Sequence, residues 1–259
     1  MFDFLCDVKE HTHVSDDYMI IKLYAGQIAQ QARPGQFVHI RIPGLERTSL
    51  RRPFSIFNSE DGVLSILYKA VGRGTEMMKD LQPRSQLQLI GPLGNGFPLA
   101  GSCEPVLVAG GYGVAPLFFL ASRLNRIGVL VVGGRTSDDI LAINNFKELG
   151  WRVAVATDDG SAGDKGFVTI PLKRELDRIQ AEGKEAELFS CGPDGMLKVV
   201  GALALEKGFK AWLSLDKRMV CGVGACLACV QKLRKDDGST WIGRVCSDGP
   251  IFEAGEIVW

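Results

Sequence analysis

The sequence predicts a mixed fold in three parts: an N-terminal antiparallel β-barrel over residues 1–97, an α/β domain on a parallel sheet over 98–215, and a small cysteine-rich module over 216–259. Three observations predict it. Short alternating runs broken by Gly and Pro fill the first third, buried strand-like runs alternate with helical ones from Glu104 onward, and four of the seven cysteines crowd into the last segment.

In the first part, runs 2–9, 18–24, 36–42, 63–69 and 86–90 read as strands, with Pro34-Gly35, Pro43-Gly44, Asp61-Gly62 and Pro92 between them. Many short strands at such spacing close into an antiparallel barrel. One helix is expected here, over 71–81, where Met77, Met78 and Leu81 share a face. In the second part, strands are expected at 105–109, 128–132, 152–156, 186–190 and 210–215, and helices at 114–126, 137–149, 168–180 and 193–207. Ser137 is the expected N-cap of the second of these helices, with Asp138 and Asp139 at its positive end. Strand, helix, strand repeated four times implies right-handed βαβ units and a parallel sheet, whose ligands bind outside the carboxyl ends of the strands. In the last part only 231–234 and 240–245 read as strands. That segment is too small to bury much core by itself, so a metal is expected to hold it together.

Composition narrows the function classes. A hydrophobic share of 46% with 23% charged residues describes a soluble globular protein. Thirty basic residues balance thirty acidic ones, so there is no electrostatic case for a nucleic-acid or membrane-surface partner. The uncharged run 105–122 is interrupted by Gly110-Gly111, Gly113 and Pro116 and falls short of the roughly 20 residues of a membrane span. Asp3 and Asp7 lie within the first apolar run and no basic segment precedes it, so no signal peptide is expected. A cytoplasmic, reducing compartment suits the free thiols that follow from this.

The most specific motif is Cys221-Gly222-Val223-Gly224-Ala225-Cys226-Leu227-Ala228-Cys229, with Cys246 after a sixteen-residue insert. This C-x4-C-x2-C…C spacing is that of plant-type [2Fe–2S] sites, where four thiolates hold two bridged irons. Gly222, Gly224, Ala225 and Ala228 are small enough for a tight loop to turn its sulfurs toward one point. Two other readings stay open. A structural zinc site also uses four cysteines, although it usually pairs them in two short knuckles. A disulfide framework is conceivable too, although seven is an odd number.

Three further motifs suggest nucleotides. Arg52-Pro53-Phe54-Ser55 offers a clamp for a diphosphate and a hydroxyl beside a strand, and is followed by Leu67-Tyr68-Lys69 and by Gly72-Arg73-Gly74-Thr75, where free amides open a helix. Taken alone these are only suggestive, because Arg-Pro commonly ends a surface strand. Gly110-Gly111-Tyr112-Gly113 lies between the first parallel strand and its helix, where glycines allow a backbone to approach a pyrophosphate. Its match to G-x-G-x-x-G is imperfect, and a turn needed only for strand–helix packing accounts for it as well. Cys191-Gly192-Pro193-Asp194-Gly195-Met196 ends the fourth parallel strand and can face the same crevice, with Cys191 readable as a plain buried thiol.

Together these motifs resemble the ferredoxin-NADP reductase superfamily, in which R-x-[YF]-[ST] holds a flavin and its phosphates while GG-x-G and CGP hold a nicotinamide nucleotide. With Asp216-Lys217-Arg218-Met219-Val220 ahead of the cysteine loop and Val245-Cys246-Ser247-Asp248-Gly249-Pro250 after it, essentially the whole chain resembles the electron-transfer subunits of NAD-dependent dihydroorotate dehydrogenases. The resemblance implies that Arg52, Pro53, Phe54, Ser55, Leu67, Tyr68, Lys69, Gly74 and Thr75 contact FAD. It implies that Gly110, Gly111, Gly113, Cys191, Gly192 and Pro193 hold NAD(H), and that Cys221, Cys226, Cys229 and Cys246 ligate a [2Fe–2S] cluster. Asp216 is a departure, since Glu is expected there in most relatives, but it lies outside the ligand set.

The implied activity is electron flow between NADH, FAD, the cluster and a partner, the catalytic FMN subunit that oxidises dihydroorotate to orotate in pyrimidine synthesis, in a two-plus-two assembly. No general acid or base is assigned, and His11, His13 and His39 read as surface or strand residues. A subunit of a sulfhydrogenase or of an NADH-dependent ferredoxin:NADP oxidoreductase shares this architecture. A zinc-stapled binding protein with an empty nucleotide fold is the alternative of a different class. NAD is favoured over NADP because only Arg135, ahead of Asp138 and Asp139, follows the second parallel strand, and acids there disfavour a 2′-phosphate.

Overall fold

The computed structural model describes residues 2–45, 50–99 and 101–259. Alternation of apolar and polar residues builds its first half, which contains β1 (Phe2–Ser15), β2 (Tyr18–Tyr24), α1 (Gly26–Gln31), β3 (Phe37–Arg41), β4 (Arg52–Ser55), β5 (Asn58–Glu60), β6 (Val63–Lys69), α2 (Arg73–Met78) and β7 (Gln86–Leu93). The strands form one sheet in the order β4-β3-β7-β1-β2-β6-β5. Its edges meet because β4 runs on toward β5 through Ile56 and Phe57. The Ile56 amide donates to Gln36 O beside β3 (3.2 Å) and the Phe57 amide to Ser65 O of β6 (2.9 Å). The sheet thereby closes on a core that includes Ile21, Val38, Ile40, Leu64, Ile66 and Leu89, which is the expected barrel.

The helix expected over 71–81 is confined to Arg73–Met78. Gly72 approaches it in extended backbone, φ 176°, and Pro83 disfavours helical geometry at Gln82 beyond it.

The second half contains β8 (Glu104–Gly110), α3 (Val114–Ala121), β9 (Val129–Gly134), α4 (Ile143–Glu148), β10 (Arg152–Thr157), β11 (Asp164–Lys165), α5 (Thr169–Ala181), β12 (Ala186–Cys191), α6 (Asp194–Glu206) and β13 (Lys210–Ser214). After them come β14 (Val230–Arg234), β15 (Thr240–Arg244) and β16 (Ile251–Glu253). The second sheet runs β11-β10-β9-β8-β12-β13-β16 and is parallel except for β16. All of β12 is buried, as a central parallel strand covered on both faces must be. Every residue of α3 is buried as well, because this helix lies between the sheet and the barrel. Phe118 stacks on Phe57 of the barrel at 4.7 Å, and Tyr18 and Leu67 join Leu107 and Val114 in one core spanning both parts.

Two expectations are corrected. The helix expected over 137–149 is broken: Ser137–Asp139 forms a single 3-10 turn, Ala142 takes a left-handed conformation (φ 59°), and α4 starts only at Ile143. The cap is Thr136, whose hydroxyl accepts from the Asp138 amide at 3.3 Å, so Ser137 is not the N-cap. The C-terminal segment, expected to have little core of its own, shares one with the rest of the chain. Leu233, Val245 and Ile257 pack with Phe37 and Leu93 of the barrel and Leu213 of the sheet. Burial of such side chains contributes roughly 1.5–3 kcal/mol each. β16 adds its strand to β13, and Asn95, just beyond β7, donates from its amide to Gly249 O (2.6 Å) and from Nδ2 to Asp248 O (3.0 Å).

Candidate functional site

The cysteine loop is shaped by left-handed turns at Gly222 (φ +72°), Gly224 (φ +83°) and Leu227 (φ +58°). A Cβ on Gly222 would stand 2.7 Å from His39 Nδ1, and one on Gly224 2.8 Å from Ser247 Oγ, so both positions need glycine for space as well as conformation. Amides point at the sulfurs. Gly224 donates to Cys246 Sγ at 3.1 Å, Val223 to Cys221 Sγ at 3.4 Å, and Cys246 to Cys229 Sγ at 3.4 Å. Burial alone would raise the Cys221 thiol, but the amides of Val223, Cys226 and Ala225 and the Cys226 thiol together lower it to about 6. Cys246 is pushed up to about 12 by burial and by Cys229 beside it.

Cys226 lies beside Cys221 and Cys229 beside Cys246, with Cys221 also acting on Cys246. Among the described residues no three His, Cys, Asp or Glu side chains converge closely enough to hold a single metal ion. Four cysteines backed by peptide donors suit a metal group held by four thiolates, as the spacing predicts. All seven cysteines are free thiols.

Arg244 and Asp248 bracket Cys246. The guanidinium donates through Nε and Nη2 to the two oxygens of Asp248, both at 3.0 Å, and through Nη1 to Gly224 O at 3.2 Å. One side chain therefore ties the Cys246 turn to the middle of the cysteine loop. Arg244→Gln should loosen that tie, and loss of iron to a chelator is expected to run roughly tenfold faster than in the parent protein. An unchanged rate would show that the fork does not support the loop.

In the barrel motif, β4 pairs with β3 so that Arg52 lies opposite Ile40, Pro53 opposite His39, Phe54 opposite Val38 and Ser55 opposite Phe37. Directly opposed residues share a face, so Phe54 goes with the barrel core while Pro53 and Ser55 go with the outer side. The Phe54 ring meets Tyr68 edge-on at 6.0 Å. His11 donates from Nδ1 to Leu81 O (2.9 Å), which leaves Nε2 to accept the Tyr68 hydroxyl (3.0 Å). Leu67 and Lys69 alternate with Tyr68 and face the α/β part. At the start of α2, the Thr75 hydroxyl accepts from the amides of Val71 (2.9 Å) and Gly72 (3.2 Å), so it orders the turn itself. Packing does not require glycine at 74, where a Cβ would meet only Ile42 and Leu45 side chains at 3.5 Å or more.

The other glycines belong to the crevice at the carboxyl ends of β8 and β12, which pair Ala109 with Cys191. A Cβ on Gly113 would lie 2.2 Å from Cys191 O, one on Gly110 2.8 Å from Pro193 Cδ, and one on Gly192 2.6 Å from Met196 Cε. Strand–helix packing therefore requires glycine at 113 and 110, while at 192 the nearest neighbour is the movable Met196 methyl, and Gly111 (φ +52°) supplies the left-handed turn between 110 and 113. Burial pushes the Cys191 thiol up to about 12, which is the behaviour of a plain buried thiol.

Tyr18, which sequence reasoning did not assign, joins Lys69 and Asp139 where the barrel meets the α/β part beside this crevice. Tyr18 donates its hydroxyl to Asp139 Oδ1 at 2.6 Å, and Lys69 Nζ lies 3.4 Å from both the Tyr18 hydroxyl and the same carboxylate oxygen. Burial works against the Asp139 carboxylate, but Tyr18, the Arg135 amide and Lys69 together hold it below its ordinary value. Asp139 is thus committed to the barrel, leaving Asp138 as the exposed acid near Arg135. Tyr18→Phe and Asp139→Asn are each expected to cost on the order of 1 kcal/mol in denaturant unfolding, with the double variant little worse than either single one. Full additivity would show that the two groups act independently.

His39 is the other unassigned residue. The strand assignment holds, but its remoteness in sequence misleads, because its imidazole lies against Gly222 of the cysteine loop and beside the Arg51 backbone. It is fully buried, and neither ring nitrogen has a hydrogen-bond partner among the described residues. Burial, with the Arg51 guanidinium nearby, lowers it to about 4.

Comparison with known proteins agrees with this geometry. Three family models match in order: an oxidoreductase FAD-binding domain over residues 5–97, an oxidoreductase NAD-binding domain over 107–201, and the iron-sulfur cluster binding domain of dihydroorotate dehydrogenase B over 216–258. Among curated relatives, the dihydroorotate dehydrogenase B (NAD(+)) electron transfer subunit of Fusobacterium nucleatum is 37% identical over 262 residues, covering 97% of each chain. That of Desulforamulus reducens is 40% identical over 91% of this chain and 90% of its own, and that of Bacillus cereus 42% over 89% of each. A solved NADH-dependent reduced ferredoxin-NADP oxidoreductase superposes with a TM-score of 0.86 at 30% identity, over 99% of this chain and 90% of that one. Sharing its three domains in order and more than a third of its residues with these subunits, the chain belongs to the family of dihydroorotate dehydrogenase B (NAD(+)) electron transfer subunits.

Proposed function

We propose that this chain carries electrons between NADH and a dihydroorotate dehydrogenase catalytic subunit, using FAD in the barrel and a [2Fe–2S] cluster at Cys221, Cys226, Cys229 and Cys246. It is an oxidoreductase component that binds FAD, NAD(H) and an iron–sulfur cluster. When bound, a flavin accepts a hydride from NADH and gives up electrons singly, which is what an iron–sulfur centre takes. The observation that carries the proposal is the position of the barrel between the other parts: β6 reaches the α/β part through Lys69 and Asp139, and β3 reaches the cysteine loop through His39.

Within that frame the chain's residues bind and orient. Arg52, Ser55 and the first-turn amides at Gly74 and Thr75 would hold the FAD diphosphate and ring edge, with Pro53, Phe54, Leu67, Tyr68 and Lys69 lining the site. Gly110, Gly111, Gly113, Cys191, Gly192 and Pro193 would form the NAD(H) crevice. The bare Gly74, not demanded by packing, supports close approach of a ligand there. The three units proposed for these tasks are residues 1–97, 98–215 and 216–259.

An electron transfer subunit works with a catalytic partner, and we place that partner's docking face at the cysteine loop. Cys226 is exposed there together with Val220, Val223 and Leu227, an apolar surface of the kind that protein partners cover. The proposed assembly is two plus two, with an FMN-containing catalytic chain. No described helix is long and apolar enough to cross a membrane. Seven cysteines without a disulfide among them support a reducing, cytoplasmic location.

Co-expression with a dihydroorotate dehydrogenase catalytic chain tests the proposal. The expected result is a complex of two plus two by mass that reduces NAD+ with dihydroorotate. The likeness to the ferredoxin-NADP oxidoreductase favours one competing outcome: no complex forms, and NADH electrons pass to ferredoxin instead.

A further inference from the structure

β3 alternates across the barrel wall. Val38 and Ile40 enter the barrel core, so Phe37 and His39 lie on the outer face. Phe37 fits that face, since it packs into the core shared with Cys229, Cys246 and Val245 of the C-terminal segment. His39 does not fit an apolar contact. Its ring is fully buried between Pro53, its cross-strand neighbour in the flavin motif, and Gly222, which follows the first cysteine. Any side chain at 222 would strike the imidazole, since its Cβ would lie 2.7 Å from Nδ1. The ring faces the backbone of Cys221 on one side and of Arg51 on the other without closing a hydrogen bond to either. An imidazole can donate from one nitrogen and accept at the other. A pair of unsatisfied ring nitrogens in a fully buried site is unusual in a native protein.

We propose that His39 is a positioning residue that registers the cysteine loop on the flavin barrel, bridging the Arg51–Pro53 backbone to the Cys221–Gly222 backbone and so setting the environment of the metal group held by Cys221. This rests on the reading of the loop as a cluster site. Groups that orient a metal ligand from behind typically affect metal affinity or activity by roughly ten- to a hundredfold when removed. Polar ring nitrogens set between these two backbones, rather than the volume of the ring, are what this position supplies.

The test compares wild-type protein with His39→Leu and His39→Gln, measuring iron and flavin content, the circular dichroism and midpoint potential of the cluster, and the flavin-to-cluster transfer rate after mixing with NADH. His39→Leu is expected to shift the cluster dichroism and potential and to slow transfer by about tenfold, or to lose iron outright, while flavin reduction by NADH persists. His39→Gln, which keeps a donor and an acceptor, is expected to restore the wild-type signature in large part. Wild-type spectra and rates in both variants would overturn the proposal, and so would equal damage in both, which would reduce the role to packing. Wild-type protein that reduces its flavin with NADH but carries no iron would overturn the cluster reading together with the proposal, and is distinguishable because it appears before any substitution is made.

Discussion

Cys246→Ser is expected to give a protein that still takes electrons from NADH into its flavin and can no longer pass them on. Cys246 is buried, pairs with Cys229, and accepts from the Gly224 amide. A serine oxygen is a shorter and harder donor than thiolate, and the turn between Arg244 and Asp248 that presents it is fixed. Iron content should fall to near zero, and transfer to the catalytic partner should drop by about 100-fold or more. Flavin content and its reduction by NADH should hold, because the barrel motif and the glycine crevice lie on other elements. Cys6→Ser is the control, since Cys6 belongs to the barrel core and to no ligand set. A Cys246→Ser protein with full iron and wild-type transfer would remove Cys246 from the ligand set.

Gly113→Ala should fail at the other end of the chain's task. The added methyl would stand 2.2 Å from the Cys191 carbonyl oxygen, a backbone atom of a fully buried strand that cannot swing aside. Overpacking a tight core costs about 1–3 kcal/mol and more where backbone must move. Relief requires β8 and β12 to separate where their glycines meet, so the crevice proposed to hold NAD(H) opens. Thermal unfolding should shift down by several degrees, and NADH should no longer bleach the flavin, whereas dithionite still should. Wild-type stability together with wild-type NADH reduction would contradict the packing described for this turn.

Much of this was legible in the sequence for local reasons. The barrel strands alternate, the central parallel strands are mostly apolar and buried, and cysteine spacing is a local quantity that a loop converts directly into geometry. The glycine motifs fall at strand ends, where they were expected. Contacts between parts were not legible. Nothing in Val38-His39-Ile40 says whether the outer face of the strand is wet or covered, and it is the C-terminal segment, some 180 residues on, that covers it. The break in the expected helix over 137–149 has a similar origin: Asp139 is drawn to Tyr18, 121 residues away, and this long-range bond overrides a good local start signal. β16, three residues long, is too short to announce itself, and Leu233, Val245 and Ile257 are scattered among polar neighbours, so the shared core that holds the C-terminal segment left no periodic trace. The Arg244–Asp248 pair was the one overlooked feature with a local sign, opposite charges four residues apart around a cysteine.

In the proposed order of transfer, electrons pass from NADH through the barrel flavin to the cysteine-held cluster. Anaerobic rapid mixing of the purified protein with NADH, following the flavin and cluster absorption bands separately with iron and flavin quantified on the same sample, tests it most directly. The expected result is flavin bleaching first and cluster bleaching after it, with two irons per chain. Cluster bleaching in protein stripped of flavin, or a zinc-containing sample that does not respond to NADH, would contradict the account.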